Sequence, residues 1–593
     1  THWAILIGIN FYIGGKCLQG SVRDVQTVKQ YLEAGPTPVD ITILTATTPP
    51  DPGSRRPSED PELWPTYKNV ISTFVRVLEE AKAGDFVYIH YAGHGTREKS
   101  SERCAHQAGN LAFVLFEDDE HGCSYLKGPL LAGCLRKMVE KGLLVTVVLD
   151  CCYSGSVLRG GKVRGADVRA IDYNPAVDTA SQQEALIGFC SPSNPFRNAT
   201  IPTDQWLVNP EGYTILSACG PHERAWEIKI KGQKRIGALT YFLIEALCTL
   251  RKSGIVLTHQ SLYQHVRIRF HASWPQQNPM CYGNKNFSFF GKLCIGVETA
   301  FVSIYRTGVD RLCLSAGEAH GVYKGDTYAI YPFDAPEDNA GQISEALVMV
   351  RVDTVRCLTS DLVEIGNPTG AALQIKTAWK ARLVTSLSPQ KIGVRLMASA
   401  QCQLQWRDAV EQQDFLRICT EEDNDIEPCI FNVAISKDRG YEILDGSLER
   451  IISLPTIPLD TSGASGSVID ILQHLATFKH LEGFGNRAPN QSFLDSFSLL
   501  PLTSTGDSGI FDIKHGGIWG FAVENIGNTP LYLAILNLTP SWQIVDLVSL
   551  SSRGDCLVVQ PNNKENYNKE EIRLEMKVPE FLQSQGKKQC EDV

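Results

Sequence analysis

The chain of 593 residues lacks the marks of several common protein classes. No CxxC pair occurs among its 18 cysteines, and none of its 13 histidines stands at zinc-ligand spacing from such a pair. That excludes a zinc ribbon or finger as the organising element. The cysteines are scattered rather than framed as in small secreted scaffolds, so they read as small buried apolar residues of a reducing, cytoplasmic protein. No apolar run reaches the roughly 18 residues that a membrane helix needs, and no leader of signal-peptide type precedes the first strand. No membrane partner is therefore expected. The chain opens on Thr1 rather than Met, which leaves room for an upstream segment. A long basic run is also missing and the net charge is −10, which excludes nucleic acid as the main partner. The one compact basic stretch, Lys229, Lys231, Lys234 and Arg235, reads as a solvated loop.

What is present is an ordinary globular composition, 43% hydrophobic and 21% charged. At about 150 residues per domain the length suggests roughly four units. Over the first third, apolar runs of strand length alternate with helical periodicity. Trp3 to Ile9, Phe86 to Tyr91 and Leu143 to Leu149 are continuous apolar runs, which suit strands buried on both faces of a mainly parallel sheet. Val22 to Leu32, Thr66 to Ala83, Pro129 to Glu140, Ala238 to Leu250 and Thr258 to His271 read as helices. An α/β domain is expected over 1–296, with a large part at 1–156, a long exposed linker at 157–210 and a smaller part at 211–296. Beyond it the pattern turns β-rich. A small barrel or sandwich is expected over 297–388, a mixed α/β region with a helix at Ser467 to His480 over 389–505, and a β-sandwich over 506–593 that is open to continuation.

Two peptides carry chemistry. His90-Tyr-Ala-Gly-His94-Gly95-Thr96 follows one apolar strand, and Asp150-Cys151-Cys152-Tyr153-Ser154-Gly155 follows another. Reactive groups of open α/β sheets gather at such carboxyl ends of strands. A free thiol is only a few per cent thiolate near neutral pH, so an imidazole must take or share its proton. An attacked carbonyl then becomes an oxyanion that needs preorganised donors, and glycines beside the reactive residues let backbone N–H groups approach it. His90, on the strand body, and Cys151, before the nucleophile position, read as structural residues.

Residues 3 to about 295 resemble the peptidase domain of metacaspases and caspases, of a multidomain type found in fungi and bacteria. In that clan a His precedes the nucleophilic Cys by about 50 residues. Strand–His–Gly followed by strand–Asp–x–Cys–x–Ser–Gly is similar to the metacaspase pattern rather than the Gln-Ala-Cys pattern of animal caspases. The resemblance implies Cys152 as nucleophile, His94 as base, and the backbone N–H groups of Gly95 and Cys152 as oxyanion donors. The segment Leu18-Gln-Gly20-Ser-Val-Arg-Asp24 matches the family's acidic motif, with Arg23 where Asn is usual. By resemblance Asp24 and Asp150 line a pocket for the residue before the cut and select Arg or Lys. Two buried carboxylates repel unless a cation sits between them, which agrees. Tyr213 to Cys219 resembles a strand that walls this pocket, placing Ser217 and Cys219 nearby.

The resemblance also implies self-processing in the linker after Arg159, Lys162, Arg164 or Arg169, and a role in regulated cell death. Many metacaspases bind calcium, and Asp118 and Asp119 lie in an acidic run near the matching place. The later Asp pair reads Cys123-Ser-Tyr-Leu here, so no cofactor is expected to be required. The expected partners are proteins or peptides with a basic residue at the cut, and the β-rich regions are expected to bind a protein partner. The alternative is a catalytically silent scaffold of the same fold.

Overall fold

The computed structural model describes residues 1–14, 17–97, 111–118, 121–152, 166–177, 210, 212–220, 224–229, 234–253, 258–274, 277–283 and 288–289, and residues 301–576 discontinuously. Two compact units emerge, one built mainly on Thr1–Glu298 and the other on most of the remaining chain.

The first unit is organised by a six-stranded sheet in the order β12-β9-β7-β3-β1-β2. Its strands are β1 (His2–Ile9), β2 (Val39–Ala46), β3 (Phe86–Ala92), β7 (Leu144–Asp150), β9 (Tyr213–Ser217) and β12 (Met280–Gly283). All pairings are parallel except that of β12 with β9 at one edge. Parallel neighbours need crossovers: α1 (Ser21–Glu33) follows β1, α2 (Tyr67–Glu80) follows β2 and α3 (Gly128–Glu140) precedes β7, whereas α4 (Ala238–Ser253) and α5 (His259–Ser273) lie between β9 and its antiparallel partner β12. α1 packs on α4 and α4 on α5, while α2 packs on α3.

The two-residue side-chain period of a strand explains the layering. Ile5, Ile7, Val87, Ile89, Val145 and Val147 point one way, into an apolar cluster with Phe74 and Val77 of α2 and Leu135 and Met138 of α3. Tyr88, His90 and Thr146 fall on the other register, and His90 meets Thr240 of α4. Threonines begin two of the helices: Thr66 accepts from the Asn69 N–H and Thr258 from the Ser261 N–H, each satisfying an otherwise orphaned donor. Two small three-stranded sheets flank one end of the main sheet. One joins β4 (Gly95–Arg97), β5 (Leu111–Phe116) and β6 (Cys123–Lys127). The other runs β11-β10-β8, with β8 at Ala166–Val168, β10 at Trp226–Ile228 and β11 at Ile236–Gly237.

The second unit is β-rich. A closed barrel runs in the order β13-β14-β17-β16-β15-β18, from β13 (Val302–Thr307), β14 (Arg311–Leu314), β15 (Thr327–Tyr331), β16 (Val348–Val355), β17 (Ser360–Glu364) and β18 (Lys380–Thr385). Ile304, Leu314, Ile330, Val350 and Val352 fill it. A mixed five-stranded sheet follows, with Val394, Leu416, Phe431 and Val433 packed on Leu472 and Leu475 of the helix Ala464–Glu482. The last described strands include Phe497–Pro501, Gly517–Asn525 and Lys569–Met576, which form one antiparallel sheet.

Candidate active site

β3 and β7 are parallel neighbours in register, with Ala92 opposite Asp150. His94 and Cys152 therefore leave the sheet at the same end, each two residues past its strand. Both are fully buried. Two tyrosines fix the backbone of His94. Its N–H donates to Tyr12 Oη at 2.8 Å, and Tyr91 Oη donates to its carbonyl at 2.7 Å. The Tyr12 ring centroid lies 4.7 Å from the imidazole. Cys151 turns into the apolar cluster, as a strand-end residue of the opposite register should. Cys152 Sγ instead accepts the Ala225 N–H at 2.8 Å and lies 3.2 Å from the Ala225 carbonyl. Ser154 and Gly155 lie outside the described residues.

The expected exposed linker is corrected where it is described. Residues Ala166–Val168 form β8 and pair antiparallel with β10, Val168 opposite Trp226 and Asp167 opposite Glu227. The segment then meets the backbone of Cys152 and Gly95. The Arg169 N–H donates to the Ala225 carbonyl at 3.1 Å, and the Arg169 carbonyl accepts from both the Gly95 and the Cys152 N–H, each at 3.1 Å. The Ile171 N–H returns to the Gly95 carbonyl at 3.3 Å. Gly95 has to be a glycine here, since a Cβ on it would stand 1.7 Å from the Cys152 carbonyl oxygen.

Arg169 itself is completely buried, and its guanidinium is gripped by carboxylates. Nη2 donates to Asp24 Oδ2 at 2.5 Å and lies 3.5 Å from Glu227 Oε1; Nη1 donates to the Asp150 carbonyl at 3.0 Å and stands 3.1 Å from Asp150 Oδ1. A buried cation of this kind is tolerable only because several anionic acceptors surround it. Charge, not hydrophobicity, draws this part of the linker inward, which is why a composition rich in Gly, Ser and Arg does not signal it. Of the four basic residues proposed as cleavage sites, Arg169 is the one described; Arg159, Lys162 and Arg164 lie outside the described residues.

The pocket is assembled from distant elements. Asp24 is in the first turn of α1 and Asp150 ends β7. Glu227, from the middle of β10, was not singled out by sequence, because one acid in Trp-Glu-Ile carries no motif. Its carboxylate accepts the Gln19 N–H at 3.0 Å and the Gly20 N–H at 2.5 Å, tying β10 to the start of α1. Gly237 was missed too. Its N–H donates to Asp24 Oδ1 at 3.0 Å, and a Cβ there would fall 2.2 Å from Asp150 Oδ2 and 2.5 Å from Arg169 Nη1. Arg23, the departure from the family's Asn, donates to the Lys234 carbonyl and so supports the approach to β11.

Burial pushes the Asp24 carboxyl up to about 7; Arg169 opposes this and the neighbouring Asp150 adds to it. Arg169 is raised above its ordinary value: burial works against its charge, but Asp150, Asp24 and Glu227 together outweigh it.

Ser217 and Cys219 are buried at the end of β9, where Ser217 Oγ donates to the Cys219 carbonyl at 2.9 Å and Cys219 Sγ to the Cys151 carbonyl at 3.7 Å. The acidic wall that meets Arg169 comes from Glu227 instead. Asp118 accepts from Arg56 Nε at 2.9 Å, and Glu117 accepts the Tyr67 N–H and Ser124 Oγ. A calcium ion needs about six oxygen ligands, whereas a guanidinium already faces Asp118. Asp119 lies outside the described residues, and among the described residues no group of three metal-ligating side chains occurs. This donor set does not fit the ion.

Residues 2–160 match the family described as "Metacaspase, peptidase C14 domain". Metacaspase III c of Phaeodactylum tricornutum is 30% identical over 162 residues, covering 27% of this chain and 44% of that protein. Metacaspase-3 of Trypanosoma cruzi is 30% identical over 163 residues, covering 27% and 41%. The chain thus spans less than half the length of these relatives. Caspase-1 from Spodoptera frugiperda aligns in structure at a TM-score of 0.27 and 13% identity, over 50% of this chain and 92% of that one, too distant for any argument to rest on it. Over residues 2–160, then, the chain is similar to the peptidase C14 domain of metacaspases, a caspase-like module of the cysteine peptidases.

Proposed function

We propose that the protein is a cysteine endopeptidase that cuts after Arg or Lys, and that its own Arg169–Ala170 bond is one of its substrates. A single observation carries this: Arg169 lies along the cleft as a substrate would, with its side chain among Asp24, Asp150 and Glu227 and its carbonyl oxygen on the Gly95 and Cys152 N–H groups. Two N–H donors on one carbonyl oxygen are what a developing oxyanion needs.

In the reaction, His94 takes the proton of the Cys152 thiol and Sγ attacks the carbonyl carbon. The tetrahedral oxyanion rests on the two N–H groups. It collapses with cleavage of the C–N bond, and His94 gives its proton to the leaving amine. Water, deprotonated by His94, then releases the acyl group from the thioester and regenerates the thiol. The forked contacts of the guanidinium favour Arg over Lys, whose single ammonium cannot reach separated carboxylates at once.

The test is N-terminal sequencing of the purified full chain and of Cys152→Ala, alongside peptides with Arg, Lys or Asp before the cut. A new N-terminus at Ala170 in the wild type, absent from Cys152→Ala, is expected. Peptide cleavage that survives Cys152→Ala, or a preference for Asp, overturns the reading.

A further inference from the structure

Asp150 does not stand alone in its pocket. Behind it runs a line of buried polar groups that the proposed reaction leaves without a task. Thr240, in the first turn of α4, places two donors on one oxygen: its N–H at 3.0 Å and its hydroxyl at 2.7 Å from Asp150 Oδ2. Thr240 Oγ1 lies 3.2 Å from His90 Nε2, and His90 Nδ1 lies 3.0 Å from Tyr88 Oη. Thr240 and His90 are fully buried and Tyr88 nearly so.

Hydrogen-bond chemistry fixes the direction of the whole line. Thr240 donates its one hydroxyl proton to Asp150 Oδ2. Thr240 Oγ1 can then only accept from His90, which puts the ring proton on Nε2. Nδ1 is left with a lone pair and accepts the phenolic proton of Tyr88. Each group has one role and the chain has no alternative polarity. Burial holds the His90 pKa down at about 4, with Arg169 adding to that and Asp150 opposing it, so the imidazole is neutral and carries the single proton that the line requires. The line joins β3, α4 and β7, whose side chains on this register face the same layer.

We propose that Tyr88, His90 and Thr240 are positioning residues for substrate selection: they lock Oδ2 of Asp150 toward α4 and thereby leave Oδ1 for the cation before the cut. This rests on the reading of the Asp24–Asp150 pocket as the site for a basic residue. None of the three reaches His94 or Cys152 in the line described, so they act on binding rather than on the chemical step. A carboxylate freed from Thr240 can turn about its Cα–Cβ and Cβ–Cγ bonds, and the 3.1 Å approach of Oδ1 to the guanidinium is no longer imposed.

The experiment compares the full chain with Thr240→Val, Thr240→Ser and Tyr88→Phe, using one peptide with Arg and one with its neutral isostere citrulline before the cut. Thr240→Val keeps shape and the backbone N–H but removes the hydroxyl. It is expected to raise KM for the Arg peptide about tenfold, the size of one hydrogen bond to a charged group, with little change in kcat. Thr240→Ser restores the hydroxyl and is expected to restore KM. Tyr88→Phe, which should fold even if Thr240→Val does not, is expected to raise KM about two- to threefold, as a weaker neutral contact at the far end of the line. The ratio of Arg to citrulline cleavage should fall in step. An unchanged KM in Thr240→Val or, should it not fold, in Tyr88→Phe overturns the proposal, as does a Thr240→Ser variant as impaired as Thr240→Val. A wild type that cuts the citrulline peptide as well as the Arg peptide overturns the pocket reading and this proposal with it. A wild type that prefers Arg, with variants that match it, overturns this proposal alone.

Discussion

Two of the arginine–aspartate contacts among the described residues, one in each unit, stand in different surroundings. In the first unit, Arg169 meets Asp24, Asp150 and Glu227 with no exposure on any side chain. On the barrel of the second unit, Arg356 makes a fork to Asp361 at 2.9 and 2.5 Å, with the arginine 42% exposed. The aspartates respond in opposite directions. Asp361 is lowered, chiefly by the Arg356 hydrogen bonds, because water still shares the cost of its charge. Asp24 is raised, chiefly by burial, although its hydrogen bond is equally short. The medium, more than the partner, sets the sign. A surface cluster of this kind adds little to stability, whereas a buried one holds a cation at a strength that depends on what else can neutralise it.

The contrast is broken most severely by filling the buried site. Gly237→Ala puts a methyl where Asp150 and Arg169 now meet. Cleavage after Arg should fall on the order of a hundredfold in kcat/KM, the usual penalty for misplacing a bound group by about an ångström. Steady-state kinetics on an Arg peptide check this, and wild-type kinetics in that variant would remove the pocket from the account.

The next test compares the two arginines directly, in a Cys152→Ala background that cannot process itself. Arg169→Ala strands buried carboxylates and should cost about 3 kcal/mol. Arg356→Ala removes a solvent-screened fork and should cost less than about 1 kcal/mol. Urea denaturation of both variants measures the difference. Equal losses would show that burial does not distinguish the clusters.

The smallest effect is the most diagnostic, since the two aspartates should respond in different pH windows. Asp24 has its carboxyl raised, so its contribution to stability is present below the ordinary carboxylate range and is lost as pH rises through about 7. For binding, a cation in the pocket displaces the Asp24 proton. KM for an Arg peptide should therefore fall as pH rises above about 7, and Asp24→Asn should flatten that slope. Asp361 is lowered, so its contribution is present above the ordinary carboxylate value and is lost only as pH falls through its lower folded one. An Asp24→Asn enzyme with the wild-type pH profile would contradict the assignment.

How far these features could be read from sequence follows the range of the interactions behind them. The strands and helices of the first unit are legible because their signals are local. Trp3 to Ile9 is apolar throughout, and Val70, Phe74 and Val77 recur at helical spacing. His94, Cys152, Asp24 and Asp150 are legible because each sits in a short motif at a strand end or helix start. Glu227, Gly237 and Thr240 are not, because their roles exist only after β10, β11 and α4 have been brought against α1 and β7. Arg169 shows the limit most clearly. It lies in a Gly- and Arg-rich stretch that resembles any solvated linker, and the partner that buries it, Asp24, is 145 residues away.

The pairing of β8 with β10 has a kinetic consequence. A segment joined to the same chain is present at its binding site at an effective concentration in the millimolar range, whatever the concentration of the protein. Cutting at Arg169 would therefore be first order, with a rate that dilution leaves unchanged. A peptide arriving from solution at micromolar concentration would find the cleft taken. Because β8 stays hydrogen-bonded to β10 on the N-terminal side of the bond, hydrolysis alone would not empty the cleft. Dissociation of that short strand would then be a separate step, and it could set the lag before any second substrate is turned over.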